Sequence, residues 1–233
     1  MTTVRLGTPA SALPCLPELQ KTGKDREAVQ RRYASMRVAH RHPYLEQERG
    51  IPALTLQYWR FDGRVKIDRH DNAVFPHYDG QGLCGYELKN HGFTGFAAGG
   101  SKGLWLSKTS PEDRRLVVCE AAIDALSHAV LLPDGHARYA SIGGKPNPVQ
   151  PDLIQAAVAR MPSGSEIISA MDADEAGRAL AEVVRRAAEH SGRTDVRFQM
   201  HEPSGFKDWN DQLRGKCAHV VPRAARLQEP SVA

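Results

Sequence analysis

From Arg115 onward the chain alternates short apolar runs with longer stretches of helical periodicity, and this alternation limits its fold more than any other feature. Residues 116–119, 138–142, 166–171 and 196–201 read as strands. Residues 121–132, 151–161 and 174–190 read as helices, with a short helix at 208–214. Parallel strands need long crossovers, and helices supply them, so the fold class is α/β: a mostly parallel sheet flanked by helices.

The preceding stretch has a different texture. Between residues 51 and 108, short β-type segments are punctuated by Gly, Asp-Gly and Asn. Residues 54–59 and 64–68 read as a hairpin around Asp62-Gly63, and residues 73–78 and 83–88 as a second around Asp79–Gly82. A further strand is expected at 103–106. The module is antiparallel, β-rich and basic, carrying Arg60, Arg64, Lys66, Arg69, Lys89, Lys102 and Lys108. Before it, residues 24–40 read as an Arg-rich helix with a thin apolar face, and the Pro-broken first 23 residues as a flexible arm. The expected organisation is an arm and basic helix (1–42), the β-rich module (43–110), the α/β domain (111–215) and a tail (216–233).

Charge divides along the same line. The first 109 residues hold 16 basic against 10 acidic side chains, and the remainder 15 against 17. A basic front half beside a slightly acidic back half suits a nucleic-acid grip next to a carboxylate cluster. The composition, 41% hydrophobic and 25% charged, is that of a soluble globular protein, and no apolar run is long enough to span a bilayer. A cytoplasmic protein with no membrane partner is the expectation. The four cysteines form no Cys-x-x-Cys pair, so any metal is expected on carboxylates and to be a hard ion.

In an open parallel sheet, ligands bind beyond the carboxyl ends of the strands. The first strand of the α/β region ends in Glu120, and the third runs into Asp172-Ala173-Asp174. Asp124 lies one helical turn beyond Glu120. Taken singly, an Asp-x-Asp entering a helix is an ordinary N-cap, and a Glu after a strand is an ordinary solvated end. Together on one edge they would repel one another unless they held a cation, for which Mg²⁺ (or Mn²⁺) is suited. Gly177 is expected to permit a close backbone approach to the ligand.

These residues resemble the Toprim family, which is shared by bacterial-type primases, topoisomerases and certain nucleases. Glu120 and the run Asp172-Ala173-Asp174-Glu175-Ala176-Gly177 fit its Glu and Asp-x-Asp-x-x-Gly motifs. The primase branch fits best. Glu120-Ala121-Ala122-Ile123-Asp124 resembles its Glu-Gly-x-x-Asp segment, with Ala121 in place of Gly. Ala140–Gly144 resembles its second strand and glycine turn, and Gly205-Phe206-Lys207-Asp208-Trp209-Asn210-Asp211 its closing signature. Residues 74–79 and 82–86 look like the strand pair preceding Toprim in primases. The small uncharacterised domain that precedes Toprim in many plasmid and integrative-element proteins is closer still, its opening matched by Tyr44-Leu45 and Arg49-Gly50-Ile51.

The resemblance implies a metal-dependent nucleotidyl transferase of primase type, acting on single-stranded DNA and nucleotides in mobile-element replication or transfer. Glu120, Asp172 and Asp174 are the catalytic and metal-holding candidates, with Asp124 a further ligand. Gly177, Asp208 and Asp211 stand in support. Arg60, Lys66, Lys89, Lys102, Lys145 and Arg178 are the candidates for nucleic-acid or nucleotide contacts, each weighed against an ordinary solvated role. The aromatics Tyr58, Trp59, Tyr86, Phe93, Phe96 and Trp105 read first as the module's core and second as stacking platforms for bases. No Gly-x-x-x-x-Gly-Lys-Ser/Thr loop occurs, so a helicase or relaxase is expected as a separate chain. A Toprim nuclease and a non-catalytic single-strand binder are the alternatives; a topoisomerase, which needs a tyrosine nucleophile in another domain, ranks last.

Overall fold

The computed structural model describes the backbone of residues 23–220. The expected arm up to residue 22 and the end of the tail, 221–233, lie outside the described residues. Helix α1 (Arg26–Ala34) is capped by Asp25, whose side chain accepts a hydrogen bond from the Ala28 N–H at 2.9 Å. Strand β1 (Arg37–Val38), a π-helical turn at Tyr44–Glu48 and the short helix α2 (Ala53–Gln57) follow. Strands β2 (Lys66–Ile67), β3 (Ala73–Asp79), β4 (Gly82–Asn90) and β5 (Phe93–Phe96) then complete an antiparallel sheet in the order β1-β2-β3-β4-β5.

The hairpin expected over residues 54–68 does not form. Residues 53–57 make a helical turn after Pro52, tight turns run through Asp62-Gly63, and pairing begins only at Lys66, against β1 and β3. The Leu-Thr-Leu alternation has strand periodicity, but a five-residue segment cannot distinguish period 2 from a single helical turn. The second hairpin, β3 with β4, is present with a register shift between His77 and Tyr78. Helix α1 does not stand clear of the module: Val29 and Tyr33 bury against Val74, Tyr86 and Ala97 on one face of the sheet.

The second sheet contains β6 (Trp105–Leu106), β7 (Arg115–Cys119), β8 (Ala137–Ser141), β9 (Glu166–Ala170) and β10 (Arg197–Met200), in the order β10-β9-β7-β8-β6. All neighbours are parallel except β6, which runs against β8. Helices α3 (Ala122–Leu131), α4 (Gln150–Ala159), α5 (Glu175–Glu189) and α6 (Trp209–Val220) complete the domain.

Strand β7 shows how the layers are made. Val117 and Cys119 enter a core with Ile123 and Leu126 of α3, Trp209 and Leu213 of α6, Trp105 of β6, and Phe61 and Phe75 of the front module. Leu116 and Val118 point the other way, to Ile154 and Val158 of α4 and Leu180 and Val184 of α5. The β-rich module and the α/β domain therefore share one continuous apolar core. Cys119 pairs in register with Ser141 on one side and Ala170 on the other, so the three central strands end level and deliver their following residues to one edge. No helix among the described residues is long and apolar enough to cross a membrane.

Candidate active site

Strand β7 ends at Cys119 and β9 at Ala170, so Glu120 and Asp172 emerge side by side from adjacent strands. Asp174 caps α5: one of its carboxylate oxygens accepts the Gly177 N–H at 2.8 Å, and the other faces the Lys207 ammonium at 3.4 Å. These contacts hold Asp174 below the usual carboxylate range. Asp208 plays the same part for α6, accepting the Asp211 N–H at 2.6 Å. Asp211 itself pairs with Arg214 at 3.3 Å. The Ala173 N–H donates to the Lys207 carbonyl at 2.8 Å, which ties the two acidic loops together.

The acids act on one another. Partial burial, then Glu120, Asp208 and Asp174, push Asp172 up to about 7. Burial, then Asp174 and Asp208, raise Glu120, against the pull of Lys207 and Lys102. Asp124 lies beneath the edge, buried, its Oδ1 accepting the Asn210 N–H at 3.3 Å; burial, Asp208 and Asp172 drive it well above the normal range. Four carboxylates thus converge with Asp124 behind them, and among the described residues Lys207 is the one cation in direct contact.

Among the described residues, no three His, Cys, Asp or Glu side chains form a ready-made metal cage. Mg²⁺, however, usually takes only one or two carboxylates and completes its shell with water and substrate phosphates. The donor set fits that requirement: hard oxygen ligands mutually destabilised by like charge, and a buried Asp172 Oδ1 with no hydrogen-bond partner.

Gly177 has a more local role than expected. A Cβ there would lie 1.9 Å from the Asp172 carbonyl oxygen, so its absence lets α5 begin directly over the Asp172 backbone. Gly143 and Gly144, both at positive φ, donate their N–H groups to the Glu120 carbonyl at 2.8 and 3.0 Å. Lys102 reaches across from the front module, its ammonium donating to the carbonyls of Gly143 at 2.6 Å and Lys145 at 2.9 Å. Lys145 is exposed beside it, and Lys89 is half-buried 4.0 Å from Glu87. Arg178 is exposed near the start of α5, and with Asp172 lines a small crevice.

One of the expected nucleic-acid contacts is corrected. Arg60 is fully buried, paired with Asp113 at 2.7 Å and donating to the carbonyls of Lys108 and Gly135, so it clamps the module to the α/β domain. Lys66 donates to the Tyr33 carbonyl at 3.0 Å, with its ammonium 4.2 Å from the Tyr33 ring centroid. Of the aromatics, Trp105 and Tyr86 are core, whereas Tyr58, Trp59 and Phe93 are exposed. Sequence reading missed Glu87 and His77, buried acid and base of the front module that face each other at 3.7 Å. Although burial opposes it, His77, Lys89 and Lys102 hold Glu87 below its ordinary range. It also left Lys207 without a role, although that residue stands inside the closing motif beside Asp208.

An acidic rim on the carboxyl edge of a parallel sheet thus stands beside a basic antiparallel module. Residues 117–213 match the family model described as Toprim-like, and residues 43–113 match the one described as a protein of unknown function (DUF3991). Residues 117–213 thus form a Toprim-like domain. The curated proteins include no match. Among solved structures, the fold is similar to the primase fragment of the bacteriophage T7 primase-helicase protein, at 19% identity and a TM-score of 0.51, covering 89% of this chain and 79% of that one. The RNA polymerase domain of Mycobacterium tuberculosis primase DnaG matches at 16% identity and 0.43, over 84% and 74%. A DNA primase domain from Pseudomonas aeruginosa matches at 17% identity and 0.44, over 65% and 49%.

Proposed function

We propose that this chain is a divalent-metal-dependent nucleotidyl transferase of primase type, extending a strand on a single-stranded DNA template. The observation that carries the reading is the convergence of Glu120, Asp172, Asp174 and Asp208, like charges on one sheet edge with Asp172 Oδ1 buried and unpartnered. An arrangement that raises its own electrostatic cost is characteristic of a working site.

Asp172 and Asp174 would hold Mg²⁺ or Mn²⁺, with Glu120 and Asp124 as further candidates. When bound, such an ion polarises the phosphoryl group and neutralises charge on the leaving pyrophosphate. Glu120, raised by burial and then by its acidic neighbours, suits acceptance of the proton from an attacking 3′-hydroxyl. Lys102 and Lys89 meet nucleotide phosphates from the module side, Lys145 from the glycine turn that follows β8, and Arg178 from the start of α5. Lys207, which faces Asp174 at 3.4 Å, is the cation whose place such an ion would take. A helicase in a separate chain is the partner this reading favours, because the T7 neighbour is part of a primase-helicase protein. A relaxase and a mobile-element setting belong to the same reading, supported by the front module's resemblance. The module (43–110) and the α/β domain (111–215) act in it as one unit, gripping and reacting respectively.

The test is incubation of the purified protein with single-stranded DNA, labelled nucleotides and Mg²⁺. New oligonucleotides that vanish in Glu120→Gln support synthesis. A shortened template without synthesis, lost in the same variant, transfers the site to phosphodiester hydrolysis. Strand binding unchanged by the variant, with neither product, leaves a non-catalytic binder.

A further inference from the structure

The front module carries a second basic feature, away from the rim. A cavity of about 560 Å³ lies beside α1 and the β2–β3 turn, walled by Arg32, Arg37, Arg69 and His70 and floored by Met36 and Tyr86. Its position follows from strand alternation. Tyr86 packs under α1 with Val29 and Tyr33, while its neighbour Glu87 lies on the opposite face of β4, against Gly143 and the α/β domain. The cavity and the acidic rim are therefore on opposite faces of the antiparallel sheet.

The charge in the cavity is unbalanced. Asp68, its one acidic wall residue, is turned into its own loop, accepting the N–H groups of His70 and Asn72 at 2.8 and 2.9 Å and the Asn72 side chain at 2.9 Å. Arg37 has only Asp71 at 2.9 Å, in a pair whose side chains are 70% and 78% exposed, a contact that is easily exchanged. Among the described residues, neither Arg32 nor Arg69 has a carboxylate within 4 Å: Arg32 donates to the Ala98 carbonyl and Arg69 to His70. Three guanidiniums thus edge an apolar floor. Guanidinium forks match phosphate oxygens.

We propose that this cavity binds the phosphodiester backbone of single-stranded DNA, as a second contact remote from the acidic rim. The inference rests on the reading that the chain handles single strands, but it requires no chemistry at the rim. A strand held at both places passes around an edge of the antiparallel sheet, so the cavity sets how long a template must be for tight binding.

The test is fluorescence anisotropy with a labelled oligothymidylate of about 15 nucleotides, across a salt series. Each phosphate contact on a single strand contributes about 0.7 to the slope of log K against log salt. Arg32→Ser with Arg69→Ser should therefore lower the slope by about 1.4 and weaken binding roughly tenfold at moderate salt. Arg160→Ser, an exposed charge on the far helix layer, serves as the control and should change neither. Both cavity arginines are exposed, so the unfolding midpoint should stay at the wild-type value. Tight wild-type binding with an unchanged slope in the double variant overturns the cavity proposal alone. Absence of any wild-type binding overturns it together with the functional reading. A double variant that keeps its strand affinity but loses capture of an acidic polypeptide would also refute it, assigning the cavity to a protein partner.

Discussion

Arg60 and Asp113 meet at 2.7 Å with neither side chain reaching solvent. The pair joins the front module to the α/β domain, and Arg138 contacts the second Asp113 oxygen at 3.0 Å. Removing one partner of a buried ion pair leaves the other uncompensated, which costs about 3–5 kcal/mol. Arg60→Ala is expected at the lower end, about 3 kcal/mol, because Arg138 remains. Urea unfolding measures it, and Arg138→Ala, whose side chain is partly exposed, should cost less.

Gly143 and Gly144 separate two kinds of glycine requirement. Both have positive φ, at 72° and 76°, and alanine in either incurs a backbone penalty of about 1 kcal/mol. At Gly143 an added Cβ would also lie 2.9 Å from Glu87 Oε1 and 2.9 Å from the His77 ring, whereas at Gly144 it meets nothing within 4 Å. Gly143→Ala should therefore destabilise by about 2–3 kcal/mol and Gly144→Ala by about 1 kcal/mol in thermal unfolding.

The contrast between those glycines marks where the sequence stops being informative. The α/β half was legible because its strands are buried on both faces and read as unbroken apolar runs, so the places where Glu120 and Asp172 emerge follow directly. The front module was less legible. Its strands β1 and β2 are two residues long, and Arg37 and Val38 sat at the end of what reads as a helix. Arg60 carried a basic residue's surface signal because its partner, Asp113, is 53 positions away. Glu87 and His77 are diagonal neighbours across the β3–β4 hairpin, and seeing them as a pair needs the strand register, which hydrophobic pattern alone does not give.

The His128–His201 contact gives the stability a pH dependence. The rings are stacked, with His128 Nε2 3.1 Å from His201 Nδ1, and Trp209 lies edge-on to His128. Burial, then His201, lower His128 to about 4 despite the opposing pull of Asp134. The folded state holds His128 neutral while the unfolded chain takes up the proton near pH 6.5. Its contribution is therefore complete above pH 6.5 and is lost as the pH falls toward 4. Because the raised acids of the rim titrate equally in both proteins, the readout is the difference: between pH 7 and pH 5 the wild-type urea midpoint should fall relative to that of His128→Phe, which keeps the aromatic packing without the titration.

Asp172 should show the opposite relation between stability and use. Its carboxylate stands among Glu120, Asp174 and Asp208, so replacing it by the uncharged isostere removes like-charge repulsion. In the absence of divalent metal at pH 8, Asp172→Asn is expected to be more stable than wild type by about 1 kcal/mol, measured by thermal unfolding in chelator.

The most direct test of the acidic rim is a Mn²⁺ titration followed by loss of the free-ion electron paramagnetic resonance signal, on the wild type, Asp172→Asn and Glu120→Gln. Wild-type protein should take up Mn²⁺, with Mg²⁺ competing, and Asp172→Asn should weaken uptake at least tenfold while remaining folded. Equal uptake by wild type and both variants would mean that the converging carboxylates hold no ion and would contradict the metal-dependent reading of this edge.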